Sequence, residues 1–135
     1  MKYLFFDIEC ADGGKATICS FGYVIADMDF KIIKREDIIM NPEGHFFLTG
    51  RAGRPDVPLA YPKETFFRSP KFPKFHSKLK ALLENEEYYI IGHSIGDDVN
   101  YLNKACARYG LEPFKFSYFD TQRMHRELKG DKKSI

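Results

Sequence analysis

Tyr3-Leu4-Phe5-Phe6-Asp7-Ile8-Glu9-Cys10 is the most apolar run of this chain, and it closes on two carboxylates one residue apart. Side chains at i and i+2 of a β-strand leave the same face, so Asp7 and Glu9 project side by side while Leu4, Phe6 and Ile8 fill the other face. Apolar residues on both faces mark a central strand in a sheet covered by helices. Neighbouring carboxylates repel by about 4 kcal/mol at a separation of about 4 Å and a moderate effective dielectric, so the pair invites a cation. Mg²⁺ or Mn²⁺ suits it, because these ions take oxygen ligands and leave room for a phosphate. For an isolated Asp-x-Glu the alternative is a strand end where both acids reach water.

Residues 11–15 read as a turn, residues 18–26 as a second strand and 31–40 as a third, with a polar turn at Asp27-Met28-Asp29 between them. Connections this short imply antiparallel neighbours, since a parallel pair needs a crossover of about a dozen residues or more. Residues 41–73 hold six of the seven prolines and no lasting period, and read as a long basic, proline-rich loop. Pro73 fits the first turn of a helix that carries Phe72, Phe75, Leu79, Leu82 and Leu83 at helical spacing. A fourth strand follows at 88–93, reached through that helix and therefore free to lie parallel to the first. A second helix begins near Asp97, with Val99, Leu102, Cys106 and Tyr109 on one stripe and Gly110 as its cap, and a fifth strand over 116–119 ends in Asp120-Thr121.

At 135 residues the chain makes one α/β domain over 1–135. No apolar run approaches the roughly 20 residues of a membrane span, and the N-terminus lacks a signal-peptide layout, so no membrane partner and a cytoplasmic location are expected. Three cysteines with no metal-ligand spacing fit reduced, buried thiols. A net charge of only +2 means that any nucleic-acid footprint must be local.

The second helix decides which further acid joins the pair. Counting from Asp98 gives Leu102, Cys106 and Tyr109, the apolar stripe; counting from Asp97 gives Tyr101, Lys104 and Arg108, the wetter side. Asp98 therefore faces the sheet, where a buried carboxylate needs a partner. Favour from the helix dipole is the alternative role for an acid at this end, and it is the expected one for Asp97. The acids converge on the carboxyl end of the parallel strands, where open α/β sheets place their sites.

Residues 5–10 (FFDIEC), 92–102 (GHSIGDDVNYL) and 118–122 (YFDTQ) together resemble, in order, the motifs of the DEDD exonuclease superfamily, which includes proofreading exonucleases, ribonuclease T and oligoribonuclease. The resemblance covers nearly the whole chain. It implies a ribonuclease-H-like mixed sheet, three antiparallel strands followed by parallel strands with flanking helices. It also implies two-metal hydrolysis of phosphodiesters from a 3′ end, with Asp7, Glu9 and Asp98 as catalytic metal ligands. Asp97 departs from a position often apolar in the family, and Ser94 stands where Asn is common. The family's third motif, a helix with a general-base His or Tyr and a fourth acid, has no counterpart. His125 and Asp131 have the wrong spacing, and His125 reads as exposed. The expectation is a C-terminally incomplete fold that keeps metal and strand affinity and hydrolyses poorly.

Between His45 and Lys78, Arg51, Arg54, Lys63, Arg68, Lys71, Lys74 and Lys78 face only Asp56 and Glu64, interleaved with aromatic residues. Cations that track phosphates and rings that stack on bases are the ingredients of single-strand binding. The charges, Arg51, Arg54 and Arg68 foremost, are assigned to a single-stranded nucleic acid with a 3′ end. Most phenylalanines are assigned to packing, with Phe46 and Phe47 left open. The expected function is a metal-dependent 3′-to-5′ exonuclease on single-stranded DNA or short RNA. Two alternatives are a nuclease-derived module that holds nucleic-acid ends without cutting, and a structural domain with solvated acids.

Overall fold

β1 (Lys2–Cys10), β2 (Ile18–Ala26) and β3 (Ile32–Ile39) form the antiparallel meander expected from their short connections. The computed structural model describes residues 1–46 and 59–129. Aspartates close both turns. Asp12 Oδ1 accepts the Gly14 N–H at 3.0 Å, and Asp27 Oδ1 accepts the N–H groups of Asp29 and Lys31 at 2.9 Å each.

α2 (Phe72–Leu83) carries the chain over the sheet to β4 (Tyr88–Gly92), which pairs parallel with β1. Pro73 sits in its first turn, where a missing N–H costs nothing. α3 (Ile95–Arg108) then leads to β5 (Phe119–Asp120), parallel to β4, and α4 (Thr121–Lys129) follows at once. The strand order is β3-β2-β1-β4-β5. Gly110, at φ +66°, takes the left-handed position just beyond α3, as its reading as a cap requires.

Register sorts the side chains onto two faces. Leu4 stands opposite Ile25 and Ile90, and Ile8 opposite Phe21, which in turn faces Ile38. These residues form one core with Phe72, Leu79 and Leu83 of α2 and Ile95, Leu102 and Cys106 of α3.

Three expectations need correction. The two long helices bury their apolar residues on the Leu4 face alone, whereas Tyr3 and Phe5 on the other face of β1 stay half-buried. β5 spans two residues instead of four, because the segment before it serves the core and not the ladder: Phe114 is buried, Phe116 meets Phe6 edge-on at 6.3 Å, and the Lys115 N–H donates to Glu84 Oε2 at 3.0 Å. Within the long loop, α1 (Lys63–Phe67) forms around the buried Phe66, and the Asn41 amide donates to the Phe67 carbonyl at 3.1 Å.

Candidate active site

On the open face Asp7 stands in register with Gly22, and Gly22 with Asp37, so a bare glycine separates two carboxylates across three strands. One pleat further, Glu9 stands opposite Ser20, just before the irregularity between Glu9 and Cys10. The Cys19 thiol donates to the Glu9 carbonyl at 3.4 Å. Burial pushes the Cys10 and Cys19 thiols up to about 12, so both are neutral packing groups, as the sequence indicated.

The turn from β4 into α3 delivers the third acid. A Cβ on Gly92 would lie 3.0 Å from the Ile95 side chain, so only glycine lets the turn close this tightly. Ser94 follows at φ +53°, in the left-handed region. Asp120 holds it there: its Oδ1 accepts the N–H groups of Ser94 at 3.0 Å and of Gln122 at 2.9 Å. His93 Nδ1 meets Thr121 Oγ1 at 3.1 Å. The end of β5 thereby fixes the start of α3, and one turn later Asp98 enters the structure buried while Asp97 remains exposed.

Asp98 is 8% exposed, and burial, then the negative charge of Asp7, pushes its carboxyl up to about 7. A hydrogen bond from the Ile8 backbone opposes the rise, and the charge of Asp97 adds to it. Among the described residues no ion pair joins Asp7, Glu9 or Asp98 to a cationic side chain. A buried carboxylate facing a second one fits a divalent cation, the partner that relieves both desolvation and repulsion. Among the described residues no three His, Cys, Asp or Glu side chains gather into a ready-made metal cage.

Two cavities meet at Asp7. A groove of about 810 Å³ runs along the open face between Phe5, Val24 and Ile91, bordered by Arg35, His93 and Asp98. A smaller cavity of about 210 Å³ lies between Glu9, Ser20 and Tyr61. Asp7, Gly22 and Asp37 border both. Glu9 thus stands in the smaller cavity and Asp98 in the groove, with Asp7 between them.

The basic aromatic loop is only partly described. Phe46 packs against Phe66 at 5.4 Å and Phe67 at 5.5 Å, with the Lys63 ammonium over its ring at 5.8 Å, so its ring is engaged within the loop's own packing. Arg68 is exposed at the end of α1. Arg51, Arg54 and Phe47 lie outside the described residues. Lys71 and Lys78 are paired with Glu43 at 2.8 Å and Glu36 at 2.7 Å, which leaves them less available to phosphates than their sequence context suggested. His125 is half-buried, not exposed. His76 meets the Glu112 carbonyl at 2.8 Å and stacks on Phe114, a strut rather than a surface group.

Asp37 and Ser20 were not singled out by sequence reasoning, and Tyr61 was read only as one of the aromatic residues of the basic loop. Gly22 was the available signal, because a glycine inside an otherwise bulky strand marks a close approach. No family model matches the chain, and no curated protein matches it in sequence. Solved structures do match. Product-bound exonuclease I superposes with a TM-score of 0.69 at 15% identity, over 95% of this chain and 31% of that one. E. coli exonuclease I in complex with a dT13 oligonucleotide gives 0.66 at 15% identity, over 95% and 29%. The zinc-bound form of the E. coli exonuclease I–single-stranded DNA complex gives 0.71 at 16% identity, again over 95% and 29%.

The fold is ribonuclease-H-like, of the exonuclease type. The chain spans under a third of the length of these neighbours. Among the described residues no helix is long and apolar enough to cross a membrane.

Proposed function

We propose that residues 1–135 form a single exonuclease-like domain that hydrolyses phosphodiester bonds of single-stranded DNA or short RNA from the 3′ end, with Mg²⁺ or Mn²⁺ as cofactor. The observation that carries this reading is the burial of Asp98 beside Asp7, with no cationic side chain among the described residues paired to either, at the head of an open groove. The fold likeness to exonuclease I, whose solved complexes include single-stranded oligonucleotides, supports it. Three free cysteines suit the reducing cytoplasm.

Asp7, Glu9 and Asp98 would hold the metal, which when bound would supply Lewis-acid polarisation of the scissile phosphate and a lowered pKa for an attacking water. The chain's own part is positional. Asp120 and Ser94 fix the turn that sets Asp98, and the bare backbone of Gly22 keeps the approach to Asp7 open. Exposed Arg68, together with Arg51 and Arg54, would track the phosphates of the strand. The resemblance implies a further base and a fourth acid beyond Asp7, Glu9 and Asp98, and no described residue is assigned to either role.

A second reading keeps the binding and drops the chemistry: a nuclease-derived module that holds nucleic-acid ends. A 5′-labelled single-stranded oligonucleotide with Mn²⁺ separates the two. The first reading expects metal-strengthened binding with slow stepwise shortening from the 3′ end, both reduced in Asp7→Asn. Metal-dependent binding with no shortening over days favours the second, and no metal-dependent binding at all defeats both.

A further inference from the structure

The two edges of the sheet are unlike. β5 offers an edge of two residues, whereas β3, at the other end of the strand order, offers one of eight. Among the described residues no strand pairs with the outer side of β3, so alternate N–H and C=O groups along it lack a ladder partner. Ile32 and Ile33 are each 54% exposed there. Charges on an edge strand normally keep sheets from pairing with one another. In β3, however, Lys34-Arg35 is followed directly by Glu36-Asp37, with two isoleucines on either side, so the strand matches its own reverse with opposite charge.

Geometry selects one register. A two-fold axis that joins two antiparallel edges stands perpendicular to the sheet and keeps each face on its own side, so residues set opposite one another must share a face. Arg35 lies in register with Val24 and Phe5, Asp37 with Gly22 and Asp7, and Ile39 with Ser20 and Glu9, so all three belong to the open face. With the axis at Glu36, Arg35 of each copy meets Asp37 of the other and Ile33 meets Ile39. An axis one residue earlier sets Arg35 against itself and Ile33 against Asp37; one residue later it sets Asp37 against itself and Arg35 against Ile39. Like charges directly opposite destabilise a ladder and opposite charges support it, so the Glu36 axis is favoured. On the helix face that axis sets Glu36 opposite itself, but each Glu36 is already held by Lys78 Nζ at 2.7 Å and by the Tyr23 hydroxyl at 2.6 Å, and Lys34 of the other copy stands diagonal to it. Among the described residues Lys34 and Arg35 have no carboxylate within ion-pair distance, which leaves both available to a second copy.

We propose that β3 is a self-association edge, on which two copies of this chain pair antiparallel about a two-fold axis at Glu36 and join their five-stranded sheets into one continuous sheet. Two Arg35–Asp37 contacts flank the axis on the open face, and two Ile33–Ile39 contacts cover the exposed isoleucines beyond them. Asp37 borders both cavities, so the pairing carries a guanidinium of the second copy to their rim. The association uses only the sheet edge and stands independently of the nuclease reading.

The test is analytical ultracentrifugation of the full chain over about 5–500 μM, the range in which a small interface shows its dissociation. The wild type should shift from the monomer mass of 15.7 kDa towards twice that value. Arg35→Asp makes both Arg35–Asp37 contacts repulsive and should weaken association about tenfold or more. Adding Asp37→Arg to that variant exchanges the partners and should restore association to within about threefold of the wild type, a recovery that damage to the monomer does not produce. Ile33→Lys, at an exposed position, should also weaken association and leave the monomer folded. Under oxidation Glu36→Cys should give a covalent dimer and Arg35→Cys should not, because only residue 36 faces its own copy and diagonal neighbours at about 7–8 Å lie beyond disulfide reach. Melting curves establish that each variant folds, and Ile33→Lys with the cross-link decides where Arg35→Asp does not fold. A wild type that stays monomeric through the whole range overturns the proposal. So does a dimer that folded Arg35→Asp and Ile33→Lys leave unchanged, or one that cross-links as well through residue 35 as through residue 36.

Discussion

The two faces of β1 carry alternating residues of one strand and have opposite fates. Leu4, Phe6 and Ile8 are 0%, 6% and 7% exposed beneath α2 and α3, while Asp7 and Glu9 are exposed and Tyr3 and Phe5 half-buried. One face is specified by close packing. The other is free to hold charges that packing would forbid, and it is there that both cavities open. A strand that anchors the core thus presents its acids on a rigid backbone, the arrangement that holds a site to a fixed geometry.

The largest effect should come from testing this contrast directly. Leu4→Ala should cost about 2–5 kcal/mol, since a fully buried side chain leaves a cavity under two helices. Phe5→Ala should cost about 1 kcal/mol, because its half-exposed ring loses only part of a transfer energy. Urea denaturation measures both. Equal costs would mean that the Phe5 face is packed as tightly as the core and would end the comparison.

The second effect contrasts the two acids of α3. At metal concentrations of about 100 times Kd, Mn²⁺ should stabilise the wild type by about 2.7 kcal/mol. Asp98→Ala should lose that gain and Asp97→Ala should keep it, because Asp98 is buried near Asp7 and Asp97 is exposed. Without metal the pH dependence has a definite sign. A carboxyl raised from 3.8 to about 7 binds its proton more tightly folded than unfolded, so its contribution to stability is complete below about pH 4 and is lost as pH rises through 7. The difference in Tm between Asp98→Asn and the wild type should therefore widen in favour of the variant from pH 4 to pH 8. A constant difference would show that Asp98 is not the desolvated group.

The sequence made the buried side of the molecule legible and much of the open side not. A continuous apolar run located β1, and period-3.6 spacing separated Asp98 from Asp97, because burial imposes a pattern that a reader can count. β5 was read as four residues, starting at Phe116, because Phe116 looks like a strand residue while it serves the core from an irregular segment. Asp37 and Ser20 escaped for a different reason. Each meets Asp7 or Glu9 only through cross-strand register, and register is not written in any local repeat.

The third prediction concerns the device that joins the two sides. Asp120→Ala removes the acceptor of two backbone N–H groups and should cost about 1–3 kcal/mol. Because that acceptor sets the turn before α3, the same variant should also reduce the Mn²⁺-linked gain in Tm. Lost stability with a full metal response would make Asp120 a structural group alone.

The smallest effect lies at Ser94, held at φ +53° between β4 and α3. Asparagine populates the left-handed region more readily than serine, so Ser94→Asn should raise stability by about 0.5 kcal/mol in chemical denaturation. The opposing term is the bond that the Ser94 hydroxyl donates to Gln122 Oε1, which the longer amide must replace from a different position. Ser94→Gly separates the two contributions, since it relieves the backbone and keeps no side-chain bond. Gain in both variants would show that backbone strain dominates at this turn. Loss in both would show that the Ser94–Gln122 bond holds the start of α3, and the open face would then depend on side-chain contacts as much as the core does.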